Sequence, residues 1–386
     1  MISAATALVA CGGADNDSPP ISTPVDSGPA ADTAVEDVAE SGTDVGADTT
    51  AADAPKAAAM SLLSLNLHCL KTEGTPYPDN VARFAAIADR VAKEDVVAIA
   101  VQEACVRGGE SAMELLAKEL QRASGVAWSS HWAFAHKAWE GTADEAEEGV
   151  GLFVRGALAS PGVITHRVQG ALVRVAAAAT LPSGMRLYSV HFDHATAAVR
   201  AAQARELAAA ALVDTDPGFG AIVAGDFNAR TGEEPHTALV SFGFRDLSTS
   251  LDAGRIDHVF VHRASGVSAG SARLIFDGKD GAKVSDHPGV LVTLASGEKE
   301  TPTITRVTGR AKLVTGQWLA LRGASAPLSW TVGWPARETA DGFRIVLTEL
   351  TGPKLEVKFL RDDTTWMTGA NATITPGTDQ VIDASF

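Results

Sequence analysis

The chain has 386 residues, more than one average domain, and a 46% apolar fraction that allows a sizeable core. Its formal charge of −15 argues against a protein that grips nucleic acid through a broad basic face. Three cysteines are too few for a disulfide-built scaffold.

The chain opens on a short apolar run that ends Leu8-Val9-Ala10-Cys11. This resembles the lipobox of bacterial lipoproteins, in which the cysteine is acylated and becomes the new N-terminus. The resemblance implies a partial signal over residues 1–11, lipidation at Cys11, and an exported protein held to the membrane by its lipid alone. No Lys or Arg precedes the run, and it is far too short to span a bilayer. Residues 12–59 carry about ten carboxylates, the single Lys56 and no aromatic residue. Such a segment cannot bury enough apolar area to offset its ordering entropy, so a disordered acidic tether is expected. The folded remainder is then only mildly acidic.

From 60 to 297 strand-like and helix-like segments alternate. Residues 61–67 read as a strand. Residues 80–93 place Val81, Phe84, Ala85, Ala88 and Val91 at helical spacing. A short apolar run at 96–101 reads as a buried strand, and 112–123 as an amphipathic helix. Strands are expected at 128–135, 149–154, 163–168, 172–180 and 186–191, followed by a long Ala-rich helix over 195–213. Apolar runs at 221–224, 256–261, 272–276 and 290–294 close the domain. This mixture predicts an α/β fold, two sheets with helices outside, in a four-layer α/β/β/α sandwich. A polar linker at 298–303 leads to short strand-like pieces at 310–313, 318–322, 342–349, 354–360 and 371–375. They predict a small all-β sandwich over 303–386.

Polar residues gather at the ends of these strands: Asn66, Gln102-Glu103, His191, Asp226 and Asn228, Asp257, and Asp286-His287. Ligands bind at strand ends in open α/β sheets. Each residue alone is readily a turn or a solvated loop position. Their order is more informative. Leu-Asn-Leu-His at 65–68, Val-Gln-Glu at 101–103, His191, Gly-Asp-Phe-Asn at 225–228, Ile-Asp-His-Val-Phe-Val at 256–261 and Ser-Asp-His-Pro at 285–288 together resemble the endonuclease/exonuclease/phosphatase superfamily. That superfamily includes pancreatic-type deoxyribonucleases, abasic-site endonucleases, bacterial sphingomyelinases, inositol-phosphate phosphatases and deadenylases.

The resemblance implies hydrolysis of a phosphodiester or phosphomonoester by in-line attack of water, with Mg²⁺ (or Mn²⁺ or Ca²⁺) as cofactor. It implies that Glu103 and Asn66 ligate the metal and that Asp286 serves a second metal position. Asp226 would orient or deprotonate the water, and Asn228 would bond a phosphate oxygen. His287 would act as general base or charged stabiliser, held by Asp257, and His191 would donate to a non-bridging oxygen or help the leaving group. Asp193 and His194 either line the site or cap the following helix. His68 is expected at its mouth. Glu148 either sits near the metal or, as its acidic run 144–148 favours, is a solvated carboxylate, and His131, His136, His166, His236 and His262 read as structural or solvent-facing. Strands ending in Asn66 and Glu103 should be neighbours if both reach one ion. That leaves Cys69 and Cys105 as either a disulfide or two free thiols.

Four of the seven tryptophans, Trp318, Trp330, Trp334 and Trp366, fall after the linker. The stretches around Trp330, 355–359 and 366–371 resemble starch- and glycogen-binding β-sandwich domains. By that likeness Trp330, Lys358, Trp366 and Asn371 form a sugar-binding surface, because C–H faces of sugars stack on indole. The alternative for the whole chain is a catalytically silent surface protein that binds glycan through this module. No protein partner is inferable.

Overall fold

A computed structural model describes residues 60–386, apart from 253 and 349. The lipobox reading at Cys11 and the tether reading of 12–59 lie outside these described residues. Among them, no helix is long and apolar enough to cross a membrane.

The fold is mixed α/β. A seven-stranded sheet runs in the order Val267–Ile275, Gly289–Ser296, Met60–Asn66, Val96–Arg107, Ala146–Arg155, Trp128–Ala138, with the short Glu110–Ser111 strand beside Val96–Arg107. A six-stranded sheet runs Phe244–Asp246, Asp257–His262, Ala221–Asp226, Arg186–His191, Val175–Thr180, Ala159–Thr165. The inner faces meet in one apolar cluster that includes Leu62, Ala100, Leu152, Ala177, Leu187, Ile222, Val259 and Val292. Period-2 alternation along each strand sends these residues inward and their neighbours to the opposite face. Gln102 Nε2 crosses between the sheets to Ser189 Oγ at 3.1 Å, and Ser189 Oγ donates to Val101 O at 2.9 Å.

Helix α1 (Asn80–Lys93) begins at Asp79, whose side chain accepts from Ala82 N. Helix α2 (Ala112–Ser124) begins at Ser111 and ends at Gly125 in the left-handed conformation. Their Phe84, Ile87, Val91, Leu116 and Leu120 pack on the outer face of the seven-stranded sheet. Helices α3 (Ala197–Thr215) and α4 (Glu234–Ser241) cover the other sheet through Leu207, Leu212 and Leu239. The sequence reading missed α4, an eight-residue helix with too few turns to display a period.

After the linker come a four-stranded sheet and a five-stranded sheet. The strand expected at 310–313 lies earlier, at Thr305–Arg310, where Val307 turns inward and pairing with Gly342–Leu347 and Asp379–Asp383 decides the position. This part packs against the first two sheets' helices. Trp334 stacks on Phe242 with centroids 3.5 Å apart, and both belong to the cluster under α3 and α4. Arg306 pairs with Asp216, and Arg337 with Asp214.

Candidate active site

Strand direction assembles the site. The parallel pair Met60–Asn66 and Val96–Arg107 sets Asn66 opposite Gln102, one residue before Glu103. In the other sheet a parallel pair sets His191 opposite Asp226, and the antiparallel neighbour sets Asp257 opposite Asp226. Gly225 is required there: a Cβ would lie 2.1 Å from Val190 O, and its φ is +151°. Glu103 and Asn228 adopt positive φ, 46° and 47°, a conformation that an asparagine tolerates more readily than a glutamate.

Asn66 Nδ2 donates to Glu103 Oε1 at 3.0 Å and reaches Asp226 Oδ2 at 3.4 Å, so it bridges the two sheets. Its Oδ1 accepts from His68 N at 2.9 Å. The Asn66 NH₂ thus faces the carboxylates, and its oxygen, which accepts one hydrogen bond, keeps a second lone pair for a cation. Asp226 Oδ1 accepts from Asn228 N at 2.8 Å. Asn228 Nδ2 uses one N–H on Phe192 O, leaving the other for a ligand.

His287 Nδ1 donates to Asp257 Oδ2 at 2.8 Å and lies 3.8 Å from Asp226 Oδ2. Burial opposes its charge, but the bond and charge of Asp257, with Asp226 and Asp286, push its pKa up to about 10. His191 behaves oppositely. Burial first, then Arg174 and His287, hold it well below the usual range, so it is neutral. Arg174 Nη1 lies 3.0 Å from His191 Nδ1. A guanidinium only donates, so Nδ1 accepts and the proton sits on Nε2, which faces Asp226 Oδ2 at 3.6 Å.

Burial, with the charge of Asp257, raises Asp226 to about 7. Burial and the nearby Glu148 raise Glu103. Buried carboxylates that repel one another are what a cation relieves. The donors Glu103, Asp226 and the unpartnered, buried Asp257 Oδ1 are all oxygens, the set a hard divalent ion takes. Asp226 and Asp257 each bring a carboxylate oxygen within 4.8 Å of the other, beside the charged His287. The residues present therefore fit a Mg²⁺-type ion.

Asp286 does not join this cluster. It is exposed, accepts from Ser285 Oγ at 3.1 Å and lies 3.7 Å from His68 Nδ1 at the rim. Asp193 is buried and braces the turn that leads into α3: its Oδ1 accepts from Ala195 N and Thr196 N, while the helix itself has no side-chain cap bond at Thr196. His194 is exposed, with Nδ1 3.5 Å from Arg174 Nη2.

Three participants escaped the sequence reading. Glu148 is buried rather than solvated and accepts from Arg174 Nη1 at 3.2 Å. His136 is buried, 3.7 Å from Glu148. Arg174 carried the available signal, a lone charge in an otherwise apolar strand-like run.

Cys69 and Cys105 form a disulfide that ties the turn after Asn66 to the strand after Glu103. In the C-terminal part Trp334 is core, whereas Trp330 and Trp366 are exposed with centroids 6.0 Å apart. Lys358 donates to Gly369 O and Asn371 to Glu356, so both brace loops of that face.

The sequence profile of the Endonuclease/Exonuclease/phosphatase family matches residues 63–287. The chain is similar to an endonuclease/exonuclease/phosphatase family protein from Leptotrichia buccalis, with 18% identity and a TM-score of 0.49 over 61% of this chain and 99% of that one. It is similar to the endonuclease/exonuclease/phosphatase from Beutenbergia cavernae, with 16% identity and a TM-score of 0.49 over 82% of this chain and 99% of that one. A mannosyl-6-phosphatase from Bacteroides thetaiotaomicron shares 18% identity at a TM-score of 0.44, over 61% and 99%. No curated protein sequence matches the chain.

Proposed function

The chain belongs to the endonuclease/exonuclease/phosphatase family, and from that premise we propose a divalent-metal-dependent phosphoesterase on a four-layer α/β/β/α scaffold. The observation that carries this reading is the opposed protonation of groups around one acidic cluster. His287 is a half-buried cation, His191 a neutral Nε2–H donor, and Asp226 a carboxylate raised to about 7. Groups pushed apart in this way mark an acid–base site.

When bound, a hard cation supplies Lewis-acid polarisation of a phosphoryl oxygen, held by Glu103 and Asp226. The chain's own residues do the rest. Asp226 orients the attacking water and accepts its proton as the new O–P bond forms; the ester P–O bond breaks, and the leaving oxygen departs with its electron pair and takes a proton from solvent. His287 and His191 donate to the phosphoryl oxygens, where negative charge develops. The raised His287 favours the charged-stabiliser role over general base. Asn228 contributes its free N–H. Arg174 and Glu148 fix the His191 tautomer.

The test is hydrolysis of bis(p-nitrophenyl) phosphate with Mg²⁺ or Mn²⁺, with and without chelator. Chelator-sensitive turnover supports the reading, and background turnover in every condition refutes it. We further place the enzyme outside the cytoplasm, lipidated at Cys11. The buried disulfide supports export, since such bonds persist in oxidising compartments. Labelling with a lipid precursor, lost in Cys11→Ala, tests it.

A second reading concerns the C-terminal part. Exposed Trp330 and Trp366, tilted by 48°, support a glycan platform. Retention on a glucan column that disappears in Trp366→Ala tests it.

A further inference from the structure

Arg83 is the largest fully buried side chain among the described residues, and it uses all five of its N–H donors. Nη1 donates to Leu67 O at 2.7 Å and to Val284 O at 2.9 Å. Nη2 donates to Cys69 O at 2.8 Å and to Asn80 Oδ1 at 2.8 Å. Nε donates to the same Asn80 oxygen at 3.1 Å. No carboxylate among the described residues touches it, and its charge is met by carbonyl oxygens.

The choice of carbonyls is informative. Leu67 and Cys69 lie one and three residues after Asn66. Val284 lies three residues before His287. Between the first two, His68 and Cys69 hold φ of +49° and +51°, a conformation that costs a non-glycine residue energy unless its surroundings over-determine it. His68 N is also the donor that fixes the Asn66 amide. One planar group therefore clasps the turn that orients Asn66 and the loop that delivers His287. Helix α1 is its rigid base.

We infer that Arg83 is a positioning residue, whose guanidinium sets the separation between the Asn66–Glu103 side of the site and His287. The inference rests on the phosphoesterase reading above. Only a rigid fork can serve three carbonyls in diverging directions; a lysine ammonium keeps the charge and loses that geometry. Misplacement of catalytic groups by about 1 Å costs on the order of 100-fold in rate.

The experiment compares wild type, Arg83→Lys and the pair Asn80→Ala and Asn80→Asp. Turnover of bis(p-nitrophenyl) phosphate gives kcat and KM, and calorimetry gives Mn²⁺ affinity without any turnover. Arg83→Lys is expected to lose at least tenfold in kcat, with KM within threefold, and to bind Mn²⁺ more weakly. If it keeps kcat and Mn²⁺ affinity within twofold, the inference is overturned. If Arg83→Lys does not fold, the Asn80 pair decides. Asn80→Ala slackens the guanidinium and is expected to lose threefold or more in kcat. Asn80→Asp retains the accepting oxygen though, like Asn80→Ala, it loses the Nδ2 donor to Leu70 O at 3.1 Å, and it should keep at least threefold more kcat than Asn80→Ala. Equal kcat in both Asn80 variants overturns the inference. A wild type that neither binds Mn²⁺ nor turns over would instead sink the phosphoesterase reading, so the two failures are separable.

Discussion

Asp257→Asn tests the assignment of charge within the site. Asp257 contributes both the hydrogen bond and the leading favourable charge that hold His287 up to about 10 against burial. With the carboxylate gone, burial still opposes the imidazolium, and only Asp226 and the rim residue Asp286 favour it. His287 is then expected to titrate below about 8, a change of at least 2 pH units, worth roughly 3 kcal/mol between its protonation states. At pH 8 the wild-type imidazole is about 99% protonated, and the variant's largely neutral. The sign for stability follows by linkage. A histidine raised from 6.5 to about 10 contributes stability that is complete below 6.5 and is lost as pH rises through about 10. The variant should lack that decline. Ring-nitrogen NMR of the metal-free protein, assigned with His287→Gln, measures the titration directly. Turnover adds a functional check: the wild-type-to-variant ratio should be larger at pH 8 than at pH 6, where the variant regains its imidazolium. A His287 that still titrates near 10 in Asp257→Asn would refute the reasoning.

Arg174→Met removes the donor to Glu148 and to His191 Nδ1. It should raise the His191 pKa and lower kcat by about 10- to 100-fold, as expected for loss of a group that orients a functional one; unchanged kcat would show that the tautomer is set elsewhere. Divalent-metal stabilisation should grow with pH. Glu103 and Asp226 sit above their unfolded pKa values, so their ionisation costs stability as pH rises through the folded values, and a cation removes that cost. Thermal midpoints with Mn²⁺ minus those with chelator should be larger at pH 8 than at pH 5, and equal differences would count against these ligands. Replacing both Cys69 and Cys105 by serine opens a cross-link with a sequence separation of 36. The chain-entropy estimate for that loop is about 4 kcal/mol, readable by urea titration, and a loss well under 1 kcal/mol would show that packing alone holds the two turns.

Much of this site was legible in the chain itself. Asn66 and Asp226 end strands and Asp257 begins one, which periodicity and end position announce locally, whereas Glu103 sits at a bulge inside Val96–Arg107 and His287 in the loop before Gly289–Ser296. Helix α1 and the strand Arg186–His191 fell where their patterns put them, because caps and apolar spacing act over a few residues. What each polar group does was not legible. Glu148 sits in an acidic run that reads as solvated, and only its pairing across the sheet with His136 and its contact with Arg174 bury it. Asn66 bridges Glu103 and Asp226, a placement that no local pattern announces. Burial and charge partnership join residues distant in sequence, such as Asn66 and Asp226, which are 160 positions apart. The chain by itself determined which residues line the strand ends. Which of them carry charge, which donate and what holds them apart was decided by the tertiary structure, because pKa and hydrogen-bond direction depend on neighbours that only folding brings together.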